Sequence, residues 1–259
     1  MDQRAHNELL QSGNCEDTNY REELKHKETK FMPKVETSLR KKIITVPDVI
    51  YKASGLLLMR RRIKSLIFTT DISIMRNHNG NALMVVYPFT PELVITQAAI
   101  SVANVPVFAG VGGGTTTGKR SIGIAFQAEL LGAAAVVVNS PTSNTVIKNM
   151  SQTVDIPVVA TIASSYDDIV GKVEAGASIL NISGARETPA LVKKAREIVG
   201  PDYPIIATGG PTDESILLTI QAGANAITYT PPTTAEIFAE SMIKYRNDSE
   251  KKARAASFE

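Results

Sequence analysis

The stretch FAGVGGGTTTGKRS, residues 108–121, concentrates polar donors beside glycine. Gly113, four residues, Gly118 and Lys119 reproduce most of the nucleotide phosphate loop G-x-x-x-x-G-K-[ST]. The hydroxyl that would hold magnesium is missing, because Arg120 stands in its place. A nucleotide-hydrolysing site is therefore rejected. What survives is a run of three glycines, Gly112, Gly113 and Gly114, whose backbone N–H groups lie ahead of a helical stretch. Lys119 and the hydroxyls of Thr115, Thr116 and Thr117 add donors, a set suited to contacting a small substrate. The plain alternative is a surface loop without a ligand.

A second glycine pair lies in ATGGPTDES, residues 207–215, and a threonine-rich turn in TYTPPTTAEIF, residues 228–238. Gly209 and Gly210 let backbone approach a ligand closely, and Thr208 and Thr230 supply hydroxyls; these four are the phosphate-binding candidates. A tight turn that simply needs glycine is the alternative. Asp71, in FTTDIS, is the only carboxylate at the C-terminal end of a predicted strand, where partial burial poises an acid–base group. It can equally cap the helix that follows. His78, in RNHNGN, is the only histidine beyond the N-terminal tail; it suits a substrate-side proton shuttle or a solvated turn. Asn139 and Asn181 fall at strand ends and can polarise a carbonyl oxygen, while Thr161 and Ser183 can orient substrate hydroxyls. The same groups can instead satisfy backbone at strand ends.

These residues need a scaffold that gathers strand ends. Three segments begin at proline, VPVFAG, IPVVAT and YPIIATGG, and three begin Gly-Ala, GAAAVVVNSP, GASILNIS and GANAITYTPP. The two kinds alternate, with helix-like stretches between them. Each apolar run is short and continuous, as in a parallel strand covered on both faces. KSLIFTTDI and ALMVVYPFT extend the series upstream to eight strands. Eight strands alternating with helices predict a (β/α)8 TIM barrel over 35–246. VPDVIYKASGLLLMRRRI reads as an N-terminal helix capping the barrel bottom, TAEIFAESMIKYR as a closing helix, and 1–34 and 247–259 as polar tails.

Composition narrows the partners. Net charge is +2, aromatics are 5% and tryptophan is absent, which argues against a nucleic-acid partner. No apolar run approaches the length of a membrane span, and the N-terminus lacks a signal-peptide core. Cys15 stands alone, so no internal disulfide forms; a cytoplasmic location is expected. No cluster has metal spacing, and neither metal nor cofactor is expected. A homo-oligomer is compatible with the pattern, although no interface stripe is legible.

ATGGP followed by IQAGANAITYTPP resembles the last quarter of the phosphate-binding barrels, the ribulose-phosphate-binding-like and class I aldolase-like group. The similarity is to ketodeoxyphosphogluconate aldolases and N-acylmannosamine-6-phosphate epimerases. The resemblance implies an enzyme acting on a small phosphorylated sugar or keto acid, an isomerase, epimerase or lyase. The aldolases carry a lysine inside the barrel, and no predicted strand over 105–230 contains one, so imine chemistry is disfavoured. A non-catalytic phosphometabolite-binding barrel and a hydrolase are the alternative readings.

Overall fold

The computed structural model describes residues 33–35, 37–38 and 42–256. The chain divides into two units, Met1–Lys41 and Lys42–Glu259. Most of the tail expected over 1–34 lies outside the described residues, as does Cys15. The described residues of the first unit, 33–35 and 37–38, form neither helix nor strand.

In the second unit a 3-10 helix, Asp48–Lys52, leads into strands β1 (Leu56–Leu58) and β2 (Arg61–Ile63). There follow β3 (Ser65–Phe68), α1 (Ile72–Arg76), β4 (Ala82–Val85), α2 (Leu93–Val102), β5 (Val107–Gly112) and α3 (Gly118–Leu130). The alternation continues through β6 (Ala135–Val138), α4 (Asn144–Ser151), β7 (Val158–Ile162), α5 (Ile169–Glu174), β8 (Ile179–Ile182) and α6 (Thr188–Val199). It ends with β9 (Ile205–Thr208), α7 (Asp213–Gln221), β10 (Ala226–Tyr229) and α8 (Thr234–Ala256). Strands β3 to β10 form a closed parallel barrel in sequence order, with β10 pairing back onto β3. All eight predicted barrel strands are present. The closing helix continues past residue 246 to Ala256.

The punctuation works as its chemistry requires. Pro106, Pro157 and Pro204 immediately precede β5, β7 and β9, where no ladder donor is needed. Their carbonyls still join the sheet, accepting from the amides of Leu83, Val136 and Leu180 at 2.9, 3.0 and 3.1 Å. Gly132 ends α3 at φ 101°, and the next amide, of Ala133, reaches back to the Ala128 carbonyl at 3.0 Å. This left-handed helix stop is cheap only for glycine. Gly176 and Gly223 repeat it after α5 and α7.

Strand alternation divides the core in two. Residues such as Ile67, Val85, Val136 and Ile182 face the helices. Leu66, Met84, Phe108, Val137, Val159 and Ile206 fill the lumen. The N-terminal segment departs from the expected single helix. Beyond the 3-10 turn, LLLMRRRI folds as an antiparallel hairpin in which Leu56 pairs with Ile63. Leucine and arginine favour helix locally, but Leu56 and Ile63 are buried in the lumen cluster, and that burial overrides propensity. Arg61 and Arg62 are therefore exposed on β2, and Arg60 lies in the turn before it.

The hairpin turn uses Met59 and Arg60 at φ 49° and 60°, a left-handed pair better suited to Asn-Gly. Replacing Met59→Asn together with Arg60→Gly should raise stability by about 1 kcal/mol, read as a shifted denaturant midpoint at unchanged slope.

Candidate functional site

The C-terminal ends of the barrel strands surround two adjoining clefts. The larger, about 510 Å³, is lined by Phe68, Thr69, Thr70, Asp71, Val86, Tyr87, Asn139, Thr230 and Thr233, among others. The smaller, about 200 Å³, is lined by Gly110, Gly112, Gly114, Thr115 and Thr116, and shares Val86, Tyr87, Pro88 and Asn139 with its neighbour. The mouth has two characters. On the β3–β5 side it presents Phe68 and Val86, with Gly110 and Gly112 leaving room. On the β7–β10 side, alternation places Thr161, Asn181, Thr208 and Thr228 with the lumen-facing residues. The Asn181 amide donates to Thr161 Oγ1 at 3.2 Å, and Thr208 donates to Ser183 Oγ at 3.2 Å. Asn181 Oδ1 and Thr228 Oγ1 are buried and have no partner among the described residues. Either orientation of the Asn181 amide leaves one polar atom unmatched, so this layer has capacity for a polar guest.

Asp71 stands at the mouth and also caps α1. Its Oδ1 accepts from the Ser73 and Ile74 amides at 2.8 and 3.3 Å. The Thr234 hydroxyl beside it, against an upward push from burial and with help from the two capping amides, holds the carboxyl below its ordinary range. Asp71 is therefore ionised at neutral pH: a proton acceptor or a fixed negative charge, not a proton donor.

The phosphate candidates after β9 and β10 occupy a less receptive place. Thr230 lines the larger cleft, and Gly210 turns at φ 80°. At the start of α7, however, a reciprocal cap occupies the Thr212 and Ser215 amides, and Asp213 and Glu214 stand in its first turn. At α8, Thr233 and Glu236 cap each other in the same way. An anion at either helix start meets capped donors and nearby carboxylates, Asp213 and Glu214 at one and Glu236 at the other.

His78 lies apart from the mouth. It precedes β4, at the N-terminal end of the barrel, where its Nδ1 accepts from the Gly80 amide at 3.0 Å. Burial lowers its pKa, against the Met75 backbone bond, which raises it. The structure thus brings Asp71, Asn139, Thr230, Gly112 and Gly114 to the clefts, and Thr161, Asn181, Ser183 and Thr208 to the strand ends beside them. His78 is separated from both groups. Lys119 is exposed on the first turn of α3, outside the lining of both clefts.

A buried cation escaped the sequence reading. Lys172, 4% exposed, donates to the Ser140 and Thr142 carbonyls, both at 2.9 Å. Burial lowers its pKa, opposed by the Asp167 and Asp168 carboxylates. Asp167 accepts from Ser140 Oγ at 2.7 Å and from the Ala163 and Ser164 amides at 2.7 and 3.0 Å. Burial alone would raise its pKa, but these donors and the Lys172 charge hold it low. Asp168 caps α5 through the Gly171 amide and accepts from the Asn144 side chain. Together they clamp the loop after β6, which carries Asn139, to the loop after β7. The signal in the sequence was DDIVGK, a cap residue four positions before a lysine.

No family model and no curated protein matches the chain. Solved structures do resemble it. A 2,3-dimethylmalate lyase, described as a PEP mutase/isocitrate lyase superfamily member, aligns at TM-score 0.54 and 13% identity over 79% of this chain and 85% of its own. A phosphoenolpyruvate phosphomutase from Streptomyces platensis subsp. rosaceus aligns at 0.54 and 15% over 78% and 84%. A phosphonopyruvate hydrolase solved with oxalate and Mg++ aligns at 0.54 and 13% over 74% and 83%. At this identity the likeness establishes the (β/α)8 barrel and nothing finer. These structures are not the ketodeoxyphosphogluconate aldolases and N-acylmannosamine-6-phosphate epimerases that the sequence motifs suggested. Among the described residues no group of three or more His, Cys, Asp or Glu side chains could hold a metal ion. No helix among them is long and apolar enough to cross a membrane.

Asp167 sets an acid limit. Its lowered pKa stabilises the fold above the ordinary aspartate range, and that contribution is lost as pH falls through the folded-state value. Asp167→Asn should lower stability at pH 7 and flatten the decline between about pH 5 and 2, followed by denaturant titration at each pH.

Proposed function

We propose that the chain is an enzyme acting on a small keto acid or phosphorylated acid, by proton transfer at the carbon next to a carbonyl, with lyase or isomerase outcome. One observation carries this reading: the ionised Asp71 carboxylate and the Asn139 amide line the same cleft, from strand ends three positions apart in the ring. A substrate held there would lose its proton to Asp71 while the electron pair moved onto the carbonyl oxygen. Asn139, an amide donor, would stabilise that oxygen as charge develops. Asn181, Thr161, Ser183, Thr208 and Thr228 would orient hydroxyl or carboxylate groups from the opposite side. The neighbours named above include a lyase, a phosphomutase and a hydrolase of phosphonopyruvate, which supports a small acid as the substrate class. The absence of lysine from the barrel strands leaves no imine-forming residue in the lumen.

Loss of the α-proton signal of small keto acids in D2O, followed by proton NMR, tests the reaction directly. The wild type should catalyse exchange for at least one acid of a panel of 2-keto acids and their phosphorylated analogues. Asp71→Asn keeps a capping oxygen, so the fold should change by less than about 1 kcal/mol while exchange falls by about 10²–10⁴. Undiminished exchange in Asp71→Asn removes Asp71 from the chemistry. Saturable binding without exchange across the panel would favour a non-catalytic binding barrel.

A further inference from the structure

We propose that an apolar groove beside the mouth seats a hydrocarbon chain carried by the substrate, so that the substrate class is acids with an aliphatic substituent. The proposal rests on the mouth being the substrate site and names the part of the substrate that extends beyond it. The groove, about 500 Å³, lies between α1, α2 and the loop after β4. Met75 and Ala99, 1% and 2% exposed, are its buried members. Ile72, Phe89 and Val94 line it too, at 54%, 76% and 67% exposure. Apolar side chains gathered at one exposed place mark a binding surface. Among the described residues that line it only Thr70 and Tyr87 are polar, and none carries a charge. A carboxylate or phosphoryl group would be desolvated there without a charged partner, whereas an aliphatic chain would cover what water now touches.

The junction with the mouth assigns the groove to the substrate and not to another protein. Tyr87 lines the groove and both clefts, and Thr70 lines the groove and the larger cleft. Asp71 stands between Thr70 and Ile72, so the residues on either side of the proposed base both face the groove. Tyr87 is held in place by its hydroxyl, which accepts from the Glu92 amide at the start of α2 at 2.8 Å. Its ring is thus a wall common to the polar cleft and the apolar groove. In a 2-keto acid the carbon that loses the proton also bears the side chain. With that carbon at Asp71 and the carbonyl toward Asn139, the side chain leaves past Thr70 and Tyr87 into the groove. The space matches a small-molecule site.

The unbranched 2-keto acids from pyruvate to 2-oxooctanoate, titrated into the isotopically labelled full chain and followed by amide NMR, test the groove without turnover. Each added methylene should tighten binding about three- to fourfold until the groove is full, with shifts at Ile72, Val94, Ile95 and Ala98. Ala98→Phe, which fills the groove from a half-buried position, should flatten that series. Val94→Asp should flatten it as well, from an exposed position where the fold is little affected. A flat wild-type series, shifts that bypass these residues, no binding at millimolar acid, or a series left steep by Val94→Asp would each overturn the proposal. A dimer dissociated by Val94→Asp, together with a flat series, would overturn it in favour of a second copy of the chain. A steep series without deuterium exchange would leave the groove standing and remove the reaction. Exchange with a flat series would do the reverse.

Discussion

Closure of the ring is the constraint from which the rest follows. Ser65, Leu66 and Ile67 of β3 pair with Ile227, Thr228 and Tyr229 of β10, so the first and last barrel strands become neighbours. With no open edge, eight strand ends must converge on one mouth. Strand alternation then sorts each residue either to the lumen or to the helices, with no third choice. Asp71, Asn139, Thr161, Asn181, Thr208 and Thr230, scattered over the sequence, meet for this reason alone.

Holding those ends still is a separate task, and it falls to the buried Lys172. Lys172 is almost entirely out of water, and it stays tolerable because two carbonyls accept from its ammonium and the Asp167 and Asp168 charges favour it. The far end of the barrel has its own counterpart. Arg196 donates to the carbonyls of Gly200, Pro201, Tyr203 and Gly223 and to Asn225 Oδ1, tying together the turns that enter β9 and β10. Both cations act on backbone carbonyls of loops, where sheet hydrogen bonding has stopped.

The barrel strands were legible because burial on both faces imposes continuous runs such as AVVV and VVATI, and because proline and glycine stand where ladders begin and helices stop. LLLMRRRI was not legible, since its fold is decided by what Leu56 and Ile63 meet across the lumen floor. Of the candidate site, Asp71, Asn139 and the glycine loop were found because strand ends can be counted. His78 was misplaced because RNHNGN reads as a turn without saying which end of a barrel the turn occupies; it precedes a strand. Lys172 was passed over because its carbonyl partners carry no side-chain signature. Thr208, Gly209, Gly210 and Thr230 were chosen for glycine and hydroxyl content, which does not reveal that the helices just after them are already capped by Thr212 and Thr233.

The hairpin beneath the barrel has a consequence for traffic. With Leu56 and Ile63 packed into the lower lumen, the interior is a cul-de-sac. A ligand of the clefts beside Tyr87 and Asn139 would therefore have to arrive and leave from the C-terminal side of the strands.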